Sequence, residues 1–223
     1  MAYQKRTYRK KTYKRKTNTA WYDKKYSTAQ IAKKALDGVK YIKGLVNSEM
    51  LHFDSQGFVN QSNVPPLGIV SSIMLLAEGD DVFNRTGNSI LLKSVHIKNR
   101  LTWNVVTPGT VFKYWVVQDN QQISDTAPAF STIFNGRDVL SMMNRDFLGR
   151  FKILKTGEYK QDTTFPQIQF DIYLPLQQHV KFNGPLSTDI QKGGLYFVTS
   201  SSAGVANQQP FLLSDLRVSY HDN

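Results

Sequence analysis

The sequence predicts an all-β protein: a single eight-stranded antiparallel jelly-roll sandwich, preceded by a disordered basic N-terminal arm and a short amphipathic N-terminal helix. Three observations carry that expectation. Beyond Met50, apolar residues recur with a period of two, as in Ile168, Phe170, Ile172 and Leu174, which is the period of a strand with one buried face. Most of these segments have no helical pattern between them, which excludes a doubly wound parallel sheet and favours a sandwich. The connections at 120–135 and 185–193 are long, fitting Greek-key crossovers better than tight hairpins, and a jelly roll better than an immunoglobulin-like frame.

Charge divides the chain before any strand does. Residues 1–44 hold 14 Lys and Arg against Asp23 and Asp37, a net of +12, while the remaining 179 residues hold 14 against 15 acids, a net of −1. The high isoelectric point therefore describes an arm attached to a near-neutral domain. The expected organisation is a Tyr/Lys/Arg-rich arm at 1–26, a basic amphipathic helix at 27–47 and a jelly-roll domain at 48–223.

After Met1-Ala2 the arm parses as three pentads, each opening on a tyrosine and closing on a threonine: Tyr3 to Thr7, Tyr8 to Thr12 and Tyr13 to Thr17. No acid and no aliphatic side chain interrupts them, so the segment cannot bury enough apolar surface to offset its ordering entropy. It can grip a polyanion. Lys5, Arg6, Arg9, Lys10, Lys11, Lys14, Arg15 and Lys16 exchange condensed counterions for phosphates, and Tyr3, Tyr8 and Tyr13 offer ring faces on which unpaired bases stack. Clusters of this kind also serve as solubilising tails and as nuclear-import signals.

Ser27 or Thr28 caps the helix, in which Ile31, Ala35, Val39, Ile42 and Val46 fall on one stripe. Lys33, Lys34, Lys40 and Lys43 lie off it. They are either solvated lysines of a helix packed on the domain or a continuation of the nucleic-acid surface begun by the arm.

Strands follow in order. Met50 to Asp54 makes a short one, ending in a polar loop through Asn63, and Ile69 to Ala77 is an apolar run of strand length. Ile90 to Val105 is the longest, with Leu91, Val95, Ile97, Leu101, Trp103 and Val105 on one face and Ser94, His96, Lys98, Arg100, Thr102 and Asn104 on the other. Val111 to Val117 is apolar on both faces apart from Lys113 and reads as a central strand. Asp138 to Asn144 suggests a helical turn. Phe147 to Lys155 is a strand that Thr156-Gly157-Glu158 turns away, and Gln167 to Leu174 is a strand that Pro175 ends. His179 to Phe182, Leu195 to Thr199 and Leu212 to Tyr220 complete the set.

No reaction centre emerges. The four histidines, His52, His96, His179 and His221, are far apart in sequence and none has the spacing of a helical zinc site. There is no cysteine, no nucleophile elbow and no phosphate-binding glycine loop, so no enzyme, cofactor or metal is expected. Asp80-Asp81 reads as a solvated turn or a weak cation contact. The first thirty residues lack the apolar core of a signal peptide and the longest apolar stretch, 66–77, is too short to span a bilayer, so no membrane partner is expected.

A tyrosine-dotted basic arm, a basic helix running into Asn47-Ser48-Glu49, and Arg85-Thr86-Gly87-Asn88-Ser89-Ile90 leading into the long strand resemble the capsid proteins of small circular, Rep-encoding single-stranded DNA viruses, the circovirus-like group. More distantly, the layout is similar to the satellite-virus coat proteins. The resemblance implies a homo-oligomeric icosahedral virion shell around a single-stranded DNA genome, with a host nuclear import receptor as a further partner and the host nucleus as a second location. In the smallest icosahedron, roughly 60 copies would supply on the order of 700 arm charges. It also implies that Lys98, Arg100, Arg150 and Lys152 extend the binding surface where their strand faces line the shell. Two other readings of the same residues are a non-assembling nucleic-acid-binding β protein, such as a chaperone or movement factor, and a jelly-roll lectin with a basic tail.

Overall fold

The computed structural model describes residues 27–45, 50–81, 84–103, 109–161 and 166–222, with helix side chains through Tyr41. The chain divides between Asn47 and Ser48 into two units. In the first, α1 spans Thr28–Leu45. Its cap is Ser27: the Gln30 amide donates to Ser27 Oγ at 3.4 Å and the Ser27 amide to Gln30 Oε1 at 3.0 Å. This reciprocal box satisfies two N-terminal donors that the helix itself leaves open.

The second unit holds β1 (Met50–Gln61), β2 (Ile69–Ser72), β3 (Ser89–Thr102), β4 (Val111–Asp119), α2 (Phe130–Ile133), β5 (Phe134–Asn135), β6 (Met142–Met143), β7 (Phe151–Lys160), β8 (Gln167–Phe182), β9 (Ile190–Lys192), β10 (Gly194–Ser201) and β11 (Phe211–Asp222). A five-stranded sheet runs β1-β11-β3-β8-β9 and a four-stranded sheet β2-β10-β4-β7, with β5-β6 paired separately. Every pairing between these strands is antiparallel, and the crossovers between the sheets make the domain a jelly-roll sandwich.

The core lies between the sheets. Val95, Ile97 and Leu101 of β3, Phe170 and Ile172 of β8, and Leu216, Val218 and Tyr220 of β11 meet Phe112, Tyr114 and Val116 of β4 and Leu195 and Phe197 of β10. A second cluster covers the other face of the four-stranded sheet. There Trp115, Val117, Tyr196 and Val198 pack under Phe130, Ile133 and Phe134, which the long excursion between β4 and β7 folds back over them. Trp115 and Phe134 have ring centroids 4.7 Å apart. Strand β4 is therefore buried on both sides, as its unbroken apolar run predicts, and each side chain so covered is worth about 1.5–3 kcal/mol.

Several element boundaries differ from the sequence expectation, each for an identifiable reason. Strand β1 continues past Asp54 to Gln61, because a register shift between Ser55 and Val59 absorbs the polar residues. The run 69–77 is strand only to Ser72, yet Ile73, Met74 and Leu76 are fully buried: the Ile73 amide still donates to Leu195 O at 2.9 Å, and Met74 and Leu76 pack into the core. In β3 a bulge between Leu92 and Ser94 reverses the alternation, so Ile90 and Leu92 face the core and Leu91 faces out. Thr156, Gly157 and Glu158 are not a turn; they pair with Trp115, Tyr114 and Lys113 inside β7. Pro175 does not end β8, because it stands opposite Ser94 at that same bulge, where no ladder donor is required of it. The segment 138–144 makes a single turn, closed by the Ser141 amide donating to Asp138 O at 3.1 Å, and then pairs as β6, while 185–193 holds β9, which returns on β8 as a hairpin. Val105 and Asn104 lie outside the described residues.

Candidate nucleic-acid interface

Lys5, Arg6, Arg9, Lys10, Lys11, Lys14, Arg15, Lys16, Tyr3, Tyr8 and Tyr13 lie outside the described residues, as does Val46 of the predicted stripe. On α1, Lys33, Lys34 and Lys40 are exposed, while Lys43 is placed by its backbone alone. At about 100° per residue, Lys33 and Lys40 fall on the side opposite Ile31, Ala35 and Val39, with Lys34 on its flank. The spacing thus separates ammonium groups from aliphatic ones, although Leu36 and Tyr41 also lie off the stripe.

The four basic residues assigned to strand faces part company. Lys98 and Arg100 stand on the outward face of the five-stranded sheet. Arg150 precedes β7, at the other sheet, and its guanidinium is taken by Asp119: Nη2 donates to Oδ2 at 2.6 Å and Nε to Oδ1 at 2.9 Å. Asp119 is fully buried, so this pair is a clamp at the base of the 120–149 excursion and is not a surface cation awaiting phosphate. Lys152 is exposed on β7, remote in register from Lys98 and Arg100.

What the sequence did not group is the outward face of the five-stranded sheet. Cross-strand register sets Asp54, Arg217, His96 and Tyr173 in one row, and Asp215, Lys98 and Asp171 in another. Arg217 Nε and Nη2 donate to the two oxygens of Asp54 at 2.7 and 2.6 Å. That bidentate bond, with the guanidinium charge, holds the Asp54 carboxyl below the usual carboxylate range and raises Arg217 above its own. His96 Nε2 lies 3.4 Å from Asp171 Oδ2, and its ring meets Tyr173 edge-on at 6.1 Å. His52 Nδ1 lies 3.0 Å from Ser219 Oγ. Two open concavities of about 320 and about 400 Å³ share Lys98 and Asp215. Their polar, mixed-charge lining suits an extended polar ligand better than an enclosed small molecule.

Among the described residues, no three or more His, Cys, Asp or Glu side chains are grouped to hold a metal ion. Among them, too, no helix is long and apolar enough to cross a membrane.

A single jelly roll whose sequence begins with a polycationic stretch is the form of a small viral coat protein. The satellite tobacco necrosis virus coat protein family matches residues 24–209, and the chain belongs to that family. It is thus a structural capsid protein of a kind that assembles with copies of itself. The match falls on the more distant of the two resemblances drawn from the sequence. No curated protein matches the chain. Among solved structures, the broad bean stain virus particle shares 11% identity at a TM-score of 0.32, covering 76% of this chain and 88% of that one. The VP2 subviral particle of infectious bursal disease virus shares 14% at 0.29, covering 78% and 33%. Latent PorU of Porphyromonas gingivalis shares 6% at 0.36, and the chain spans 78% of its own length but 13% of PorU.

Proposed function

We propose that the chain packages a single-stranded genome in a small icosahedral shell of roughly 60 copies, the smallest closed arrangement of that symmetry. The segment 1–26 acts as the genome-binding arm, 27–47 as a basic helix and 48–223 as the shell-forming domain. One observation carries this reading: a net of +12 in residues 1–44 against −1 in the other 179. Near-neutral domains can meet side by side without strong repulsion, while every subunit brings cations for the phosphates. The arm cations Lys5, Arg6, Arg9, Lys10, Lys11, Lys14, Arg15 and Lys16 neutralise phosphate, and Tyr3, Tyr8 and Tyr13 stack on bases without regard to sequence. Lys33, Lys34, Lys40 and Lys43 extend the surface. The cargo we assign is DNA, on the resemblance of the arm and helix to circovirus-like capsids drawn from the sequence, and the arm doubles as an import signal in the host nucleus.

The test is negative-stain microscopy of the purified chain, with absorbance measured in the nucleic-acid and protein bands. Uniform shells with excess nucleic-acid absorbance are expected; a small species that never closes into shells, even with single strands added, overturns assembly. Replacing the arm cations by Gln should leave the domain folded and lower the packaged nucleic acid, and unchanged content sinks the arm's role. Cargo digested by DNase but not RNase supports DNA, and the reverse result replaces it with RNA.

A further inference from the structure

All four histidines of the chain lie on one surface, the outward face of the five-stranded sheet. His52 of β1 stands beside the inward Leu51 and Phe53, and His221 of β11 beside the inward Tyr220. His96 of β3 lies between Val95 and Ile97, and His179 of β8 precedes the buried Val180. Sequence separation hides this grouping, and register restores it. Met50, His221, Leu91 and His179 form one row across β1, β11, β3 and β8, and His52, Ser219, Ser94 and Pro175 form the next. Beyond the first row come Ser89, Lys181 and Lys192. Lys93 is the residue that β3 carries in excess over β11 between the two rows, and it lies between the buried Leu92 and Val95.

The two ends of the face differ in charge. At the far end Lys98 is flanked in register by Asp215 and Asp171, and Arg217 is held by Asp54, so fixed charges largely cancel. At the Met50 end the outward basic and imidazole side chains are His52, His179, His221, Lys93, Lys181 and Lys192, set among Met50, Leu91, Ser94 and Pro175. In register, Asp54 and Arg217 stand beside His52 and Ser219, Lys93 lies between the two histidine rows, and Lys181 with Lys192 stand beyond His179. Asp222, next in sequence to His221, accepts from the amide and hydroxyl of Thr86 on Oδ2, while its Oδ1 is buried without a hydrogen-bond partner. Met50 is also where the chain that carries the cationic segment enters this sheet.

We propose that the Met50 end of this face is a second binding surface for the phosphate backbone of single-stranded nucleic acid, formed by His52, His179 and His221 with Lys93, Lys181 and Lys192, and strengthened by protonation of the imidazoles. Imidazole is the side chain whose ordinary titration falls between about pH 5 and 8, so each ring gained as a cation adds one phosphate contact. Strands lie about 4.8 Å apart, which sets His221 and His179, two strands from each other, within about 10 Å, a spacing that one extended single strand can bridge. The proposal rests on the reading that this chain packages single-stranded nucleic acid, and it adds a pH-dependent site to an arm whose lysines and arginines stay charged throughout.

The experiment titrates a fluorescein-labelled oligothymidylate with the full-length chain whose arm cations are replaced by Gln, at about pH 8 and about pH 5.5, each over a salt series. Weak binding at the higher pH and a log–log salt slope steeper by about 2 at the lower, three contacts at about 0.7 each, are expected. A slope equal at both pH values overturns the proposal. The variant H52N/H179N/H221N should lose the acid-dependent part with an unchanged melting temperature; retention of that part also overturns it. Should this variant not fold, K93Q/K181Q/K192Q serves the same purpose: lowered acid affinity supports the site, and full acid affinity refutes it. The arm reading fails separately, if the arm-neutralised chain binds at about pH 8 as tightly as the unaltered one.

Discussion

Arg150 holds Asp119 through the Nε–Nη2 edge of its guanidinium, at a point from which the carboxylate has no access to water. Asp119 ends β4 and Arg150 precedes β7, so the pair closes the neck of the excursion that lays Phe130, Ile133 and Phe134 over Trp115. The Arg150 guanidinium also sits 4.7 Å over the ring of Phe151.

Removing the arginine leaves a buried carboxylate with only the Gln121 amide as its remaining donor among these contacts. R150A is therefore expected to cost about 3–5 kcal/mol, and R150K less, because an ammonium keeps the charge but not the two-pronged geometry. Urea unfolding of dissociated subunits measures both. An R150A midpoint equal to that of the unaltered chain would refute the clamp.

Arg85 has the same character in a different place. Its side chain is fully buried, Nη1 donates to Gly87 O at 2.5 Å and Asn88 Oδ1 at 3.3 Å, Nη2 donates to Gly184 O, and the guanidinium lies 4.1 Å over the Phe182 ring. Burial lowers its pKa and Glu78, 3.6 Å away, opposes that. A lysine cannot reach carbonyls on two loops at once, so R85K should lower stability by about 2–4 kcal/mol. The readout is the melting temperature, with retention of the native value counting against the arrangement.

These two arginines mark the limit of what the sequence could reveal. Alternation shows which face of β8 and β11 is inward, and the two-sided apolar run of β4 shows its central place, because local period and burial are the same fact there. Arg150 and Lys152 alternate with Phe151 and Ile153 as a wet basic face would, and no local pattern reports that Asp119, across the excursion, neutralises one of them. Pro175 and Gly157 look like stops because their usual reason for being in a chain is a turn. Here the first meets a bulge in β3 and the second meets a ring from β4, and both partners are distant in sequence. The histidine face was illegible for the same reason: it exists only in the register of four strands.

Gly157 is required by that ring. A Cβ placed on it would fall 2.4 Å from Tyr114 Cε1 and 2.6 Å from the hydroxyl oxygen. Tyr114 is stacked on Phe170 at 5.4 Å in the main core and has little room to retreat. G157A should therefore destabilise the domain by about 1–3 kcal/mol through overpacking. Shortening the ring side chain makes the case specific: G157A/Y114L should cost less than the two single changes added together, because the two side chains share one space. Strict additivity in urea midpoints would rule the contact out.

The Asp54–Arg217 pair fastens the edge strand β1 to β11, and its pH response has a definite sign. The hydrogen bonds and charge of Arg217 hold the Asp54 carboxyl below its ordinary value, so the folded chain binds that proton less readily than the unfolded one. Such a group contributes stability above the unfolded carboxylate pKa of about 3.9, and the contribution is lost as pH falls through the lower folded value. Both side chains are exposed to water, which keeps the effect modest and makes it shrink with added salt. D54N should accordingly melt slightly below the unaltered chain at neutral pH, and the gap should close on acidification below the carboxylate range. A gap that stays constant down to that range would mean the asparagine acts through packing and that the ion pair contributes nothing to holding β1 in place.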